Sequence, residues 1–568
     1  GVEADLSWLT KGLSLTGTFA YQTNSVGSLS TTQNYERWMR TDRRDTLAFV
    51  KKGGETNTPL GYGKSSSYYY HLTYHSQLDY SRDFGKHHVG ATAFGYFQNL
   101  TTADNGAPGM LPYARLSLGG EVTYNYAGKY FLQFDLGRSG SEQYARDVRF
   151  TSTPAVSAAW LVTGERWLEG AEWLSLLKLR GSWGKTANDR NGLSRFAYLD
   201  NVTFGGGGPL GYLQYNITEN LVGNPLVTAE ISTKRNAGID IGLFNMLHIT
   251  ADVFDEKMNN MVVGAVNKIP QYQGIPLGNY PRTNMGVFEN KGYEVSATIS
   301  KDLNKHWGFS LGGWFAYTKN TIISWNEAKR AADYAYRNWE EGYSLGTEFG
   351  YVVDKSNGNG YFNSQEEITE SGLTYAFGSP RPGDLRYTDL NGDKIIDQKD
   401  RAPMGYGNTP RQQYAINGGV RFRSLELNFL FQGTGQYASS YSGMGVRETD
   451  FDGVYGSLHR KAWTAERYAA GEEITYPALS LIKTVNHETN TFYYYDRSYL
   501  RLKNLELMWT LPGNIAKKLA AQRLRILLSG QNLLTWDKLP TSDFGPESGG
   551  YGAFPVYRVY NAGVQLQF

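Results

Sequence analysis

The feature that most constrains this chain is alternation with a period of two, repeated from one end to the other. In LSLTGTFAY, Leu13, Leu15, Phe19 and Tyr21 share one face, and Ser14, Thr16 and Thr18 share the other. In YFLQFDL, Tyr130, Leu132, Phe134 and Leu136 oppose Gln133 and Asp135, with Phe131 an apolar exception. RNAGIDIGLF sets Ile239, Ile241 and Leu243 against Asn236, Gly238 and Asp240. GYEVSATIS sets Tyr293, Val295, Ala297 and Ile299 against Glu294, Ser296 and Thr298. LELNFLFQG sets Leu425, Leu427, Phe429 and Phe431 against Glu426, Asn428 and Gln432, with Leu430 the exception. Successive side chains of a strand point to opposite faces, so this is the pattern of strands with one apolar and one polar face. About sixteen such segments of about 8 to 13 residues can be counted, long enough to cross a bilayer when tilted.

The connections carry a second pattern. Some are very short: Asn245-Met246, Arg423-Ser424, and Tyr126-Ala127-Gly128-Lys129. Others are long: Ser25 to Tyr68, Ala187 to Thr233, Met258 to Asn290, Asn320 to Gln412 and Gln436 to Ser498. Short and long alternate along much of the chain. A soluble sandwich has no need of that, whereas an outer-membrane barrel has short periplasmic turns and long extracellular loops. The expected fold class is therefore all-β, a transmembrane antiparallel β-barrel. The carboxyl end agrees: in RVYNAGVQLQF, Tyr560, Ala562, Val564, Leu566 and Phe568 share one face, as in a closing barrel strand. Aromatics near the ends of segments suit two interfacial girdles: Tyr68-Tyr69-Tyr70, Tyr124, Tyr126, Trp183, Trp314, Tyr317, Tyr493-Tyr494-Tyr495 and Trp509.

Composition excludes several classes. There is no Cys, so no disulfide scaffold or thiolate metal site. A net charge of +2 gives no nucleic-acid footprint. The mean hydropathy of -0.47 and the lack of a long apolar run leave no transmembrane helix, but a barrel hides its apolar face in alternation. High counts of Gly (66) and Tyr (42) favour strands and turns. No Ser/His/Asp order or carboxylate pair suggests a hydrolase, and the Gly205 to Gly208 run lacks the Lys-Ser/Thr of a phosphate loop.

Six blocks resemble the SusC/RagA family of TonB-dependent outer-membrane transporters. They are LKLRGSWGKTAND (Leu177 to Asp189), NMGVFENKGYEVS (Asn284 to Ser296), EGYSLGTEFGYVVD (Glu341 to Asp354), PGDLRYTDLNGDKIIDQKDRAPMGYGNTPRQQY (Pro382 to Tyr414), DRSYLRLKNLELMWTLP (Asp496 to Pro512) and SGQNLLTW (Ser529 to Trp536). The resemblance implies a barrel of about twenty-two strands, the plugged class. The family carries a signal sequence, an amino-terminal extension, a TonB box and a plug domain before the barrel, and none is recognisable here. The expectation is a partial barrel domain over residues 1–568, the carboxyl-terminal part of a longer protein. The resemblance further implies energised uptake of glycans, or in some members peptides, and no enzymatic chemistry. Implied partners are a SusD-like surface lipoprotein, the TonB-ExbB-ExbD complex and outer-membrane lipid, in a Gram-negative cell.

One stretch in the longest connection, 320–412, reads DLNGDKIIDQKD. Asp389, Asn391, Asp393, Asp397 and Asp400 stand at positions one, three, five, nine and twelve of a twelve-residue calcium loop, with Ile395 at seven for its carbonyl. Ile396 at position eight is placed to anchor the loop to its neighbours. Two residues depart from the pattern. Lys394 stands where Gly usually makes the turn, and Asp400 is shorter than the usual Glu. A structural Ca²⁺ cross-linking the loop is one reading, and an acidic solvated turn is the other. In the same connection Trp325, Tyr334, Tyr336 and Trp339 can stack on sugar rings, with Lys329, Arg330 and Arg337 nearby. Packing within the loop or against a partner accounts for the same residues. HRKAWTAERYAA (His459 to Ala470) predicts a short loop helix. Besides an importer, two alternatives stand: a passive barrel or adhesin with a calcium-braced loop, and a secreted β-rich glycan-active enzyme.

Overall fold

Backbone pairing between neighbouring strands dominates the architecture. A computed structural model describes every residue except 42–43, 45–46, 55, 103–110, 207–214, 265–275, 328–330, 335–339, 449–453 and 551. Among the described residues, seventeen strands take part in the long antiparallel ladders. In chain order they are β1 (Val2–Asp5), β2 (Leu13–Thr32), β3 (Gly61–Phe84), β4 (His87–Thr102), β5 (Tyr113–Tyr126) and β6 (Tyr130–Ser141). There follow β7 (Phe150–Leu161), β8 (Leu174–Asn188), β9 (Glu230–Leu243), β10 (Leu247–Val263), β11 (Thr283–Asp302) and β12 (Trp307–Ser324). The last are β13 (Gln412–Phe422), β14 (Leu425–Gly435), β15 (Tyr499–Thr510), β16 (Arg523–Asp537) and β17 (Val559–Gln567).

The chain divides into two compact units. The first comprises residues 1–124, 133–154 and 189–229. Its ladder joins β1 to β2, β2 to β3 and β3 to β4, all antiparallel. The second comprises residues 125–132, 155–188 and 230–568. There β8 pairs with β9, and the ladder continues strand by strand from β9 to β17, again antiparallel.

The short turns form as their lengths demand. Phe244 and Asn245 both take positive φ, 54° and 52°, and Ala127 and Gly128 take 54° and 68°. Two successive left-handed residues make the turn whose twist matches the flanking strands. The apolar faces identified in the sequence are the exposed ones. Phe19 is 58% exposed, Val253 58% and Val564 67%. A sheet that turns its large apolar side chains outward is soluble only in lipid.

Three expectations need correction. The strands are longer than expected, up to the 24 residues of β3. The connection expected from Ser25 to Tyr68 shrinks to residues 33–60. The reason is physical: the ladder continues above the lipid, where water wets both faces and alternation is no longer required. The aromatic girdle also loses members. Tyr493 is fully buried among loops, and Trp314 pairs with Ser296 and Ala415 on the polar face. Tyr293 and Tyr317 do stack on the apolar face at 5.6 Å, and Trp307 meets Phe422 at 4.4 Å near a short turn.

The two faces make a test. Val295→Arg places a cation in the apolar band and should cost about 2–4 kcal/mol in vesicle unfolding by urea. Ser296→Arg, one residue on and on the wet face, should cost clearly less, and equal losses would contradict the facing assigned here.

Candidate functional site

Among the described residues, the loops of the second unit hold two clusters of buried apolar side chains. Described residues of the segments 325–411, 436–498 and 538–558 pack into these clusters, which are rich in tyrosine. One gathers Tyr361, Phe362, Tyr375, Tyr387, Ile396 and Trp463, among others. The other gathers Tyr441, Val446, Tyr476, Tyr493 and Phe544. Phe492 packs against both. Burying such rings yields large apolar area, and each hydroxyl must then find a partner.

Those partners tie distant segments together. The Tyr387 hydroxyl donates to the Val485 carbonyl at 2.8 Å and accepts from Asn490 Nδ2 at 2.9 Å. Asn486 Nδ2 donates to Asp384 Oδ1 at 2.8 Å, and its Oδ1 accepts the Leu385 amide at 2.7 Å. In the second cluster the Tyr476 hydroxyl lies 2.8 Å from Glu448 Oε2, 2.8 Å from the Val446 carbonyl and 3.1 Å from the Tyr493 hydroxyl. Glu448 is 1% exposed, and its Oε1 accepts the Ser480 amide at 3.0 Å. His487 Nε2 stands 3.6 Å away, an ion-pair rather than a hydrogen-bond distance. Periodicity could not reveal these residues, because loops have none. The signal in the sequence was polar Asp, Asn and Glu set among aromatics.

Two loop helices brace the clusters. The helix α1 (Gln365–Ser371) is capped by Ser364, whose side chain accepts the Glu367 amide, and ends at Gly372 with φ 63°. The helix α2 (Ala465–Ala469), capped by Thr464, is the one expected within HRKAWTAERYAA.

DLNGDKIIDQKD folds as a compact loop. Asp389 accepts amides from Gly392 at 2.8 Å and Lys394 at 2.9 Å. Asp393 Oδ1 accepts the Ile395 amide at 2.8 Å, and Asn391 Oδ1 the Asp393 amide at 3.1 Å. Asp397 accepts the Lys399 amide at 2.7 Å. Asp400 is fully buried, accepting from Leu390 and Asp397 at 2.8 Å each, and burial raises its carboxyl above the ordinary carboxylate range. Lys394 adopts φ 65°, so it makes the left-handed bend that Gly usually makes. Ile396 is fully buried, and Ile395–Ile396 pairs in parallel with Thr374–Tyr375. Among the described residues no three acidic or histidine side chains converge as a metal group.

The aromatic candidates separate. Trp325 is half-buried, its amide bonded to Glu341 Oε1 at 2.8 Å. Tyr334 lies instead beside the acidic loop, with Lys399 Nζ 5.1 Å from its ring centroid and Asp333 paired to the same lysine at 2.9 Å. Tyr336 and Trp339 lie outside the described residues, as do Lys329, Arg330 and Arg337.

The polar face of the sheet carries fixed charges. Arg180 on β8 grips Asp252 on β10 through two hydrogen bonds of 2.6 Å and reaches Asp240 on β9 at 3.2 Å. Gly238 lies beneath, and a Cβ there would meet Asp252 Oδ1 at 2.7 Å. The missing side chain makes room for the bidentate pair.

Acid should loosen the loop core in two stages. Burial lowers the His459 ring below its ordinary value. Burial alone would raise the Glu448 carboxyl, but its contact with His487 and hydrogen bonds with its own amide and Tyr476 outweigh it and leave it depressed. For both groups the unfolded state binds the proton first, so their stabilisation is present at neutral pH and is lost as pH falls. Amide protection around Tyr476, Ser480 and Tyr493 should fall below about pH 6.5, from His459, and again below about 4.3, from Glu448. His459→Gln should abolish the upper step and Glu448→Gln the lower. Tyr476→Phe should cost about 1–3 kcal/mol of local protection. Protection independent of pH in the parent chain would overturn the scheme.

Comparison with known proteins accords with this geometry. TonB-dependent receptor P3 of Formosa agariphila is 25% identical over 551 residues, covering 86% of this chain and 52% of that protein. SusC of Bacteroides thetaiotaomicron is 26% identical over 309 residues, 52% of this chain and 29% of that protein. The chain spans about half the length of the curated relatives it matches. A structure of the RagAB peptide transporter superposes with a TM-score of 0.71 at 19% identity, covering 98% of this chain and 60% of that one, a likeness of fold. No family model matches. The family blocks, the outward apolar strands and these relatives lead to one conclusion: this chain is similar to the barrel portion of TonB-dependent receptors of the SusC/RagA type, β-barrels of the outer membrane of Gram-negative bacteria.

Proposed function

We propose that the chain forms the wall and surface cap of an energised importer of oligomeric nutrients, glycans or peptides, working with a SusD-like surface lipoprotein and the TonB-ExbB-ExbD complex. The observation that carries this reading is the joined loop core on a receptor barrel sheet. A passive pore needs no packed, tyrosine-rich cap, whereas a capture device needs a stiff platform above the strands. One structural relative is named for peptide transport, and one sequence relative is SusC. The family is one of transporters, which sets aside the secreted-enzyme reading. Fixed ion pairs such as Arg180 with Asp252 would keep the inner wall wet and non-adhesive to a polar cargo.

Uptake of labelled oligosaccharides and peptides by cells with and without the receptor tests the proposal. Accumulation should require both the receptor and TonB. Accumulation that persists without TonB would favour the passive barrel.

Calcium belongs to the same proposal as a brace. Asp389, Asn391, Asp393, Asp397 and Asp400, with the Ile395 carbonyl, would supply hard oxygen ligands, and Ca²⁺ would supply cross-linking rather than catalysis. Two features support this: the left-handed Lys394, which gives the backbone its required bend, and buried Ile396, which would couple the loop to the tyrosine core. Calorimetry on the intact receptor should register Ca²⁺ binding that Asp389→Ala with Asp393→Ala abolishes. At a hundredfold excess over Kd the parent should gain about 2.7 kcal/mol of stability. Unchanged heats in the double variant would reject the brace.

A further inference from the structure

The apolar face of the second unit ends in a row of charges with an unusual order. Cross-strand partners on its strands run Trp183, Arg235, Asp255, Lys291 and Lys319, each directly beside the next. The row just below runs Gly181, Ala237, Val253, Tyr293 and Tyr317. The charged row therefore lies on the lipid-facing side, one step beyond the tyrosine stack. Along β12 the six outward residues from Trp307 to Tyr317 cover about 24 Å of membrane normal at a tilt of about 45°, the height of the apolar band. Lys319 follows. The row is at the end of the strands remote from the short Asn245-Met246 turn, which places it at the outer leaflet.

The charges there do not balance. Lys291 and Lys319 face each other directly, an arrangement that destabilises a ladder. Asp255 is 3.7 Å from Arg235 and 4.0 Å from Lys291, on the far side from Lys319. Glu289 pairs with Lys291 at 2.8 Å, and the row above adds Lys185 and Lys257. Five cations thus meet two carboxylates. The side chains of Arg235 and Lys291 remain 68% and 59% exposed. Beside them lies a groove of about 590 Å³ floored by Ala237, Val253 and Tyr293. An apolar trough at membrane level, topped by clustered cations, complements an amphiphile with an anionic head.

We propose that this surface binds the phosphorylated headgroup of an outer-leaflet glycolipid of the lipid A type. A phosphate would sit between Lys291 and Lys319 and reach Arg235, and a proximal acyl chain would lie along the groove. Arginine and lysine both suit phosphate, the first through its planar fork and the second as a point charge. The phosphate would offset the repulsion between the paired lysines, so the ladder and the lipid stabilise each other. The proposal rests on the outer-membrane reading and not on import.

The test uses the full-length receptor, purified in detergent and incubated with diphosphoryl lipid A, dephosphorylated lipid A or inorganic phosphate. Retained lipid is measured by mass spectrometry. Heat-modifiable gel mobility reports separately that the barrel is folded, so failure of the membrane reading is distinguishable. Arg235→Gln with Lys291→Gln and Lys319→Gln should keep the folded mobility and lower retention of diphosphoryl lipid A roughly tenfold or more. Lys301→Gln with Lys305→Gln, at the opposite end of the strands, should leave retention unchanged. Equal retention by the triple variant, equal retention of dephosphorylated lipid A, or displacement by inorganic phosphate at similar concentration would each overturn the proposal.

Discussion

Every amide and carbonyl that crosses lipid must find its partner within the protein, because hydrocarbon offers none. The antiparallel ladders from β9 to β17 meet that demand strand by strand. Once the backbone is satisfied in this way, side chains are free to divide by face. Ile239, Val253 and Val295 turn to lipid, while Arg180, Asp240 and Asp252 turn to the wet side. The usual order of a globular protein is thereby inverted on the sheet. Large apolar residues are exposed, and Arg180 is paired with Asp240 and Asp252 on the opposite face.

The usual order returns in the loops. Where the chain leaves the lipid it must exclude water by itself, and it does so with tyrosines. A tyrosine buries a large ring and keeps a hydroxyl for a partner across the cluster. Tyr387 joins Val485 and Asn490, about a hundred residues away along the chain, and Tyr476 joins Val446, Glu448 and Tyr493. Long loops that would otherwise cost much ordering entropy become a solid body through these contacts. The acidic loop at Asp389 belongs to this body through Ile396, which lies in the first tyrosine cluster.

Legibility in the sequence followed the solvent. Within the lipid band the alternation is enforced, and the strand faces read from LSLTGTFAY, GYEVSATIS and LELNFLFQG are those of the folded sheet. Beyond the band the same ladder continues with no rule on its side chains, so the ends of β2 and β3 were placed too early. Turn lengths were legible because two residues leave few geometries. Among the loop aromatics, Trp325 and Tyr334 looked alike in the sequence but have different neighbours, Glu341 and Lys399. The Tyr493 cluster resembled a girdle and is a core.

What the sequence determined by itself is the membrane-crossing β class, the facing of the strands that alternate clearly, the short turns and the position of the calcium-like loop. These depend on local constraints: a period of two imposed by the pleat, and a hydrogen-bond rule imposed by lipid. What only the tertiary structure decided is which loop residues meet and which charges stand side by side. Lys291 and Lys319 are separated in the chain by a turn and two half-strands, and only register makes them neighbours. Asn486 reaches Asp384 only after two long loops have packed. Contacts of that range depend on the sum of many weak packing and hydrogen-bond terms, and no short stretch of sequence contains that sum.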